Sequence, residues 1–166
     1  MDRNVIAPTL SRTLAVAGFA ALLAGCGGEA PEAETDLTSP AIEERQDNFE
    51  GIGDAFKAIR GQLEQESPDL SVIEAKAGEI NERAGNIEQY FVEETAREDG
   101  YDTEALAAIW EKPTEFSDAT QKLIDTSAAL VEAAGGGDPA AVGAAVKEMG
   151  GSCKNCHDQF RYDDEA

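Results

Sequence analysis

The sequence predicts an all-α protein, an antiparallel four-helix bundle, and three observations carry that expectation. Apolar residues make up 42% of the 166 residues, and none of their runs has the β-branched and aromatic richness of strands. From residue 41 onward they fall into four series at alternating three- and four-residue steps, the spacing that lays a stripe along one face of a helix. Short breaks with capping residues join series one to two and three to four, which makes those pairs neighbours running in opposite directions.

The first element is an export signal. Arg3 and Arg12 precede an apolar run over residues 14–23, which is too short to span a bilayer comfortably and has the length of a signal-peptide core. It ends in Leu23-Ala24-Gly25-Cys26, which looks like a bacterial lipobox, the sequence whose Cys is acylated and begins the mature chain. The alternative is ordinary cleavage near Ala24, leaving Cys26 as a free thiol. We expect residues 1–25 to be a lipoprotein signal peptide, with lipidation at Cys26. Residues 26–40, acidic, poor in apolar side chains and containing Pro31 and Pro40, should form a flexible tether, and residues 41–166 the bundle.

The first helical series runs Ile42, Phe49, Ile52, Phe56, Ile59, Leu63, and Arg45 breaks it where an apolar residue belongs. The second runs Leu70, Ile73, Ala77, Ile80, Ala84, Ile87, Phe91 after the break Ser67-Pro68-Asp69. Residues 97–115, with Tyr101, Trp110 and Pro113, form a longer connection. The third series runs Phe116, Ala119, Leu123, Thr126, Leu130, Ala133 and stops at Gly135-Gly136-Gly137. The fourth opens on Asp138-Pro139, an N-cap followed by a Pro suited to the first helical position. It continues through Val142, Ala145, Met149, Cys153, Cys156 and Phe160.

A formal charge of −21 and a pI near 4.1 repel phosphate backbones and anionic lipid headgroups alike. Nucleic acid is excluded as a partner, and a membrane is expected only through the lipid anchor. The acidity solvates a helical surface or, alternatively, offers a docking face to a basic redox protein.

Cys153-Lys154-Asn155-Cys156-His157 fits C-x-x-C-H, the attachment motif of a c-type haem. Two thiols at this spacing add to the two vinyl groups of a porphyrin edge, and the next imidazole reaches the iron from the same turn. A redox dithiol of the thioredoxin kind also uses C-x-x-C, but it sits in a βαβ unit that the chain lacks. Zinc lacks ligands, because the chain has one His and three Cys. With His157 used, Met149 is the remaining strong ligand of the mature chain. It lies eight residues earlier on the same helix, about 12 Å along the axis, and does not reach the opposite haem face. The iron is expected to be five-coordinate, with an apolar lining on its far side, for which Phe49 is a candidate unless it is a plain core aromatic. The competing arrangement is a six-coordinate, low-spin electron carrier closed by Lys57 or another residue.

These residues resemble a family, cytochrome c′, the class II c-type cytochromes. The run from Cys153 through Phe160 and Arg161 is similar to the family's C-terminal signature, which usually has Tyr at the position of Phe160. Arg45-Gln46 is similar to its Arg-Gln pair, and Ile109-Trp110 followed by Phe116 to its connection before the third helix. The resemblance covers about residues 41–162. It implies a four-helix bundle with one covalent haem c in the periplasm. Arg45 would pair with a haem propionate and Phe49 would be the distal residue over the iron, where low-spin relatives place a Met. Arg161 would lie on the proximal side, and Gln46 and Phe160 would belong to the haem pocket. The expected function is electron transfer and/or binding of NO and CO rather than catalysis, in a possible homodimer through the first two helices. A thiol-disulfide oxidoreductase or a haem-free structural lipoprotein is the reading from a different class.

Overall fold

The computed structural model describes residues 37–163; the expected signal segment, most of the tether and Cys26 lie outside the described residues. Four long helices form the body: α1 (Pro40–Leu63), α2 (Leu70–Ala84), α4 (Pro113–Gly135) and α5 (Pro139–Phe160), with a short α3 (Ala108–Glu111) in the long connection. Two 3-10 turns, Glu88–Phe91 and Arg97–Asp99, complete that connection.

The helix boundaries follow local chemistry. The Ser39 hydroxyl accepts from the Ala41 N–H at 3.3 Å ahead of Pro40, and the Asp138 carboxylate accepts from the Ala140 N–H at 3.0 Å ahead of Pro139. Asp69 caps α2 by accepting from the N–H groups of Ser71 (3.0 Å) and Val72 (3.4 Å). α4 ends at the glycine run, where Gly137 takes φ +76°, the left-handed conformation that reverses the chain into α5.

The second apolar series, read from sequence as one helix to Phe91, is divided between two elements. α2 stops at Gly85, whose N–H reaches back to the Asn81 carbonyl at 3.1 Å. The chain then tightens into the 3-10 turn, which still delivers Ile87 and Phe91 to the core side. The connection is also more ordered than its composition suggests, and α4 begins at Pro113, inside the stretch expected to be loop. Residues 37–39 already belong to the fold, because the Asp102 N–H donates to the Leu37 carbonyl at 2.9 Å and Ser39 caps α1.

α2 packs on α1 and on α4, and α4 packs on α5. Ile59, Ile73, Ala77, Leu130, Val142 and Met149 are fully buried in the resulting core. Cross-helix polar links accompany all three interfaces. Asn48 donates to the Arg83 carbonyl (3.1 Å), Asn81 to the Ile124 carbonyl (2.8 Å), and the Thr126 and Ser152 hydroxyls share a bond of 3.1 Å. Gly51 on α1 leaves room for the Arg83 guanidinium of α2, which a Cβ there would displace. α1 and α5, the pair that would close the ring, form no interface comparable to these three. No helix among the described residues is long and apolar enough to cross a membrane.

The hydroxyl of Ser71, with the backbone N–H groups of Val72 and Ser71, holds the Asp69 carboxyl below the usual range. A depressed folded-state pKa stabilises the fold above the ordinary carboxylate pKa, and that contribution disappears as pH falls through the depressed value. Asp69→Ala should therefore lower the urea midpoint at pH 7, with the gap to the native chain narrowing below about pH 4. A gap independent of pH would contradict this account of the cap.

Candidate functional site

Where α1 and α5 leave the ring open, a cavity of about 840 Å³ enters the bundle, within the size range of cofactor and ligand pockets. α1 contributes Arg45, Gln46, Phe49, Ile52 and Phe56, and α4 contributes Phe116, Ala119, Thr120 and Leu123. From α5 come Cys153, Cys156, His157 and Phe160, and the connection lends Ile87, Phe91, Thr103, Glu104 and Ile109. On a helix, the spacing of Cys153, Cys156, His157 and Phe160 places all four on one face, so α5 turns the whole attachment motif toward the cavity.

No disulfide joins Cys153 and Cys156, and both are half-buried. Burial pushes the Cys153 thiol up, and burial with the neighbouring Cys153 pushes Cys156 up to about 11. A redox dithiol needs the opposite, a thiol acidic enough to ionise near neutrality, so the environment speaks against that alternative. The His157 imidazole is solvent-accessible at the cavity edge; desolvation first, then the charge of Arg161, holds its pKa down against Glu104 and Asp158. At neutral pH it is an uncharged imidazole with a lone pair for a metal. Among the described residues no group of three or more His, Cys, Asp or Glu could hold a bare ion. One imidazole and two protonated thiols on an apolar cavity suit a cofactor that brings its own equatorial ligands, and these residues fit a covalently held haem.

The sequence anomaly Arg45 is 2% exposed and holds the connection in place. Its Nη1 donates to the Thr95 hydroxyl at 2.6 Å, and its Nη2 to the Thr95 carbonyl at 3.2 Å and the Thr103 hydroxyl at 2.7 Å. The guanidinium also lies 5.0 Å from the centre of the Phe91 ring. Burial lowers its pKa, partly offset by Glu93. Phe91 is the hub of an aromatic chain: Phe49 meets it at 6.3 Å, Trp110 at 5.9 Å and Phe116 at 5.0 Å, and Phe116 meets Phe160 at 5.4 Å. The Trp110 indole fixes the hub by donating to the Phe91 carbonyl at 2.8 Å.

Phe49 is half-buried on the cavity wall and Gln46 is exposed at its rim. Arg161, just past the end of α5, directs both Nε and Nη2 to one oxygen of Glu104 at 2.7 Å. The surrounding backbone is stitched, with the Tyr162 N–H donating to the Glu104 carbonyl at 2.7 Å and the Leu106 N–H to the Phe160 carbonyl at 3.0 Å. Two alternative ligands weighed from sequence lie elsewhere: Lys57 is exposed and Met149 is fully buried, and neither is on the cavity wall. Sequence reasoning missed Thr95, Thr103, Glu104 and Thr120, which reach the site only through folding of the connection and α4.

Residues 40–161 match the family model described as Cytochrome C′. The chain is 36% identical over 125 residues to the cytochrome c′ of Pararhodospirillum photometricum, covering 72% of this chain and 94% of that protein. It is 34% identical over 110 residues to a cytochrome c-554 of Cereibacter sphaeroides, covering 64% of this chain and 70% of the relative. Among solved structures, cytochrome c prime from Shewanella frigidimarina superposes with a TM-score of 0.67 at 32% identity, covering 77% of this chain and all of that one (100%).

The Arg45 contacts set a prediction. Thr103→Val removes an acceptor from a buried charged donor and should cost about 2 kcal/mol of stability. Hydrogen exchange should rise over residues 92–105 while the centres of α2 and α4 keep their protection. Unchanged exchange in the connection would show that Arg45 does not hold it.

Proposed function

The chain belongs to the cytochrome c′ family, and we propose that it is a periplasmic lipoprotein whose haem iron is five-coordinate and open to small neutral gases such as NO and CO. Like the family, it is an electron-transfer protein carrying one covalently bound c-type haem. That group supplies a redox-active iron and, where one axial position stays free, a binding site for a diatomic.

The donor inventory of the cavity wall supports the open position. The wall holds one imidazole, His157, and no Met or Lys, so no side chain of the usual strong-ligand types stands ready to close the far side. Cys153 and Cys156 anchor the porphyrin edge, and His157 offers its lone pair from the same helical face. Arg45, fixed by Thr95 and Thr103, presents a buried positive charge that suits a haem propionate. Phe49 rests edge-on against Phe91, and that support lets it cover the iron as a gate that disfavours anions. Arg161, tied to Glu104, supplies a cation near His157 on the proximal side. Gln46 and Phe160 complete the rim and floor of the pocket.

The reduced holoprotein should change its visible spectrum from high-spin to a low-spin form on adding CO; no change would mean a six-coordinate iron and end the gas-binding reading. If Phe49 is the gate, Phe49→Ala should raise the CO association rate about tenfold, equivalent to roughly 1.4 kcal/mol of barrier. Cys26→Ser should move the protein from the membrane fraction to the soluble periplasmic fraction; continued membrane association would refute the anchor.

A further inference from the structure

α4 carries three buried hydroxyls, and they are treated differently. Thr126 donates to the Lys122 carbonyl at 2.8 Å and meets Ser152, while Ser127 donates to the Leu123 carbonyl at 2.8 Å. Thr120 does neither. It is 4% exposed, lines the cavity between Phe116 and Leu123, and its hydroxyl is the one buried side-chain oxygen or nitrogen among the described residues without a hydrogen-bond partner.

A threonine inside a helix has an easy remedy for this cost, the bond to the carbonyl four residues back that Thr126 makes. Buried polar atoms without partners are rare in folded proteins, and each asks for an explanation. Valine would have the same shape and branching without a polar atom to satisfy. On the stretch of wall that α4 supplies, the hydroxyl's companions are Phe116, Ala119 and Leu123, and in such apolar company a hydrogen bond is strong and an unmade one costly.

We propose that the Thr120 hydroxyl is a hydrogen-bonding group of the haem cavity, whose partner is a small polar occupant: a resident water or a diatomic held by the iron. The second source rests on the five-coordinate reading above; the first does not. With the iron-bound diatomic as partner, Thr120 sets ligand preference, favouring occupants whose outer atom carries partial negative charge over CO.

The test compares full-chain holoprotein with Thr120→Val and Thr120→Ser by urea unfolding, together with the infrared C–O stretch of the reduced CO complex. Thr120→Val should lower the folding constant about five- to tenfold, the effect of removing one satisfied hydrogen bond, and Thr120→Ser should restore most of it. A C–O stretch displaced in Thr120→Val alone identifies the iron-bound ligand as partner. An unmoved stretch with the stability loss identifies water. The proposal is overturned if Thr120→Val is as stable as the native chain, or more stable, with the stretch unmoved. It is equally overturned if both variants lose the same stability with the stretch unmoved, which traces the effect to packing. Failure to bind CO at all would sink the five-coordinate reading, while the urea comparison would still decide the role of Thr120.

Discussion

A buried guanidinium organises the cavity end of this bundle. Removing a charge from water is expensive, and Arg45 has no ion pair among the described residues. Its donors are satisfied by Thr95 and Thr103, with Glu93 partly offsetting the burial, and those hydrogen bonds draw residues 92–105 down over the N-terminal half of α1. The same segment is then joined to the end of α5 through backbone bonds and through Glu104 with Arg161. α1 and α5 are thus linked by a strap across one end of the bundle, which lets them stand apart along their length. The cavity is what that separation leaves.

The rest of the architecture keeps the opening in one place. Three helix interfaces are packed with fully buried Ile, Leu, Val and Ala and each is pinned by polar links, so the slack is confined to the fourth. The C-x-x-C-H motif stands on a long helix rather than a loop, which fixes Cys153, Cys156 and His157 relative to one another. The cavity wall then divides by chemistry. Aromatic side chains supported by Phe91 and Trp110 cover its interior, and Arg45, Arg97, Glu104 and Arg161 gather with the connection. A cofactor with an apolar macrocycle and charged carboxylates matches such a division.

Acidity and site are separable in this protein. The negative charge is spread over exposed helix faces, whereas the cavity wall sets three arginines against three carboxylates, and of these six Arg45 alone is buried. The acidic surface repels polyanions, while inside the cavity the one buried charge, that of Arg45, is positive. Thr120 adds one polar atom to the interior that no helix interface uses.

Much of this was legible in the chain itself. The three-and-four spacing of Ile, Leu and Ala determined the four long helices, since such a stripe can be buried only along one helical face, and Asp69, Asp138 and the glycine run marked their ends. The run from Cys153 to His157 pointed to the cofactor, because the C-x-x-C-H pattern is local and contained in about one turn. Arg45 was visible as a charge in an apolar stripe, and its position announced a special role without naming its partners. Those partners, Thr95 and Thr103, lie 50 and 58 residues away in a segment with no periodicity, and only folding of the connection brings them to it. The same holds for the split of the second series at Gly85, for the pairing of Glu104 with Arg161, and for the unpartnered hydroxyl of Thr120. A stripe says which face a residue occupies, but whether that face meets a neighbouring helix or an opening depends on how four helices close around one another, and that is decided in three dimensions.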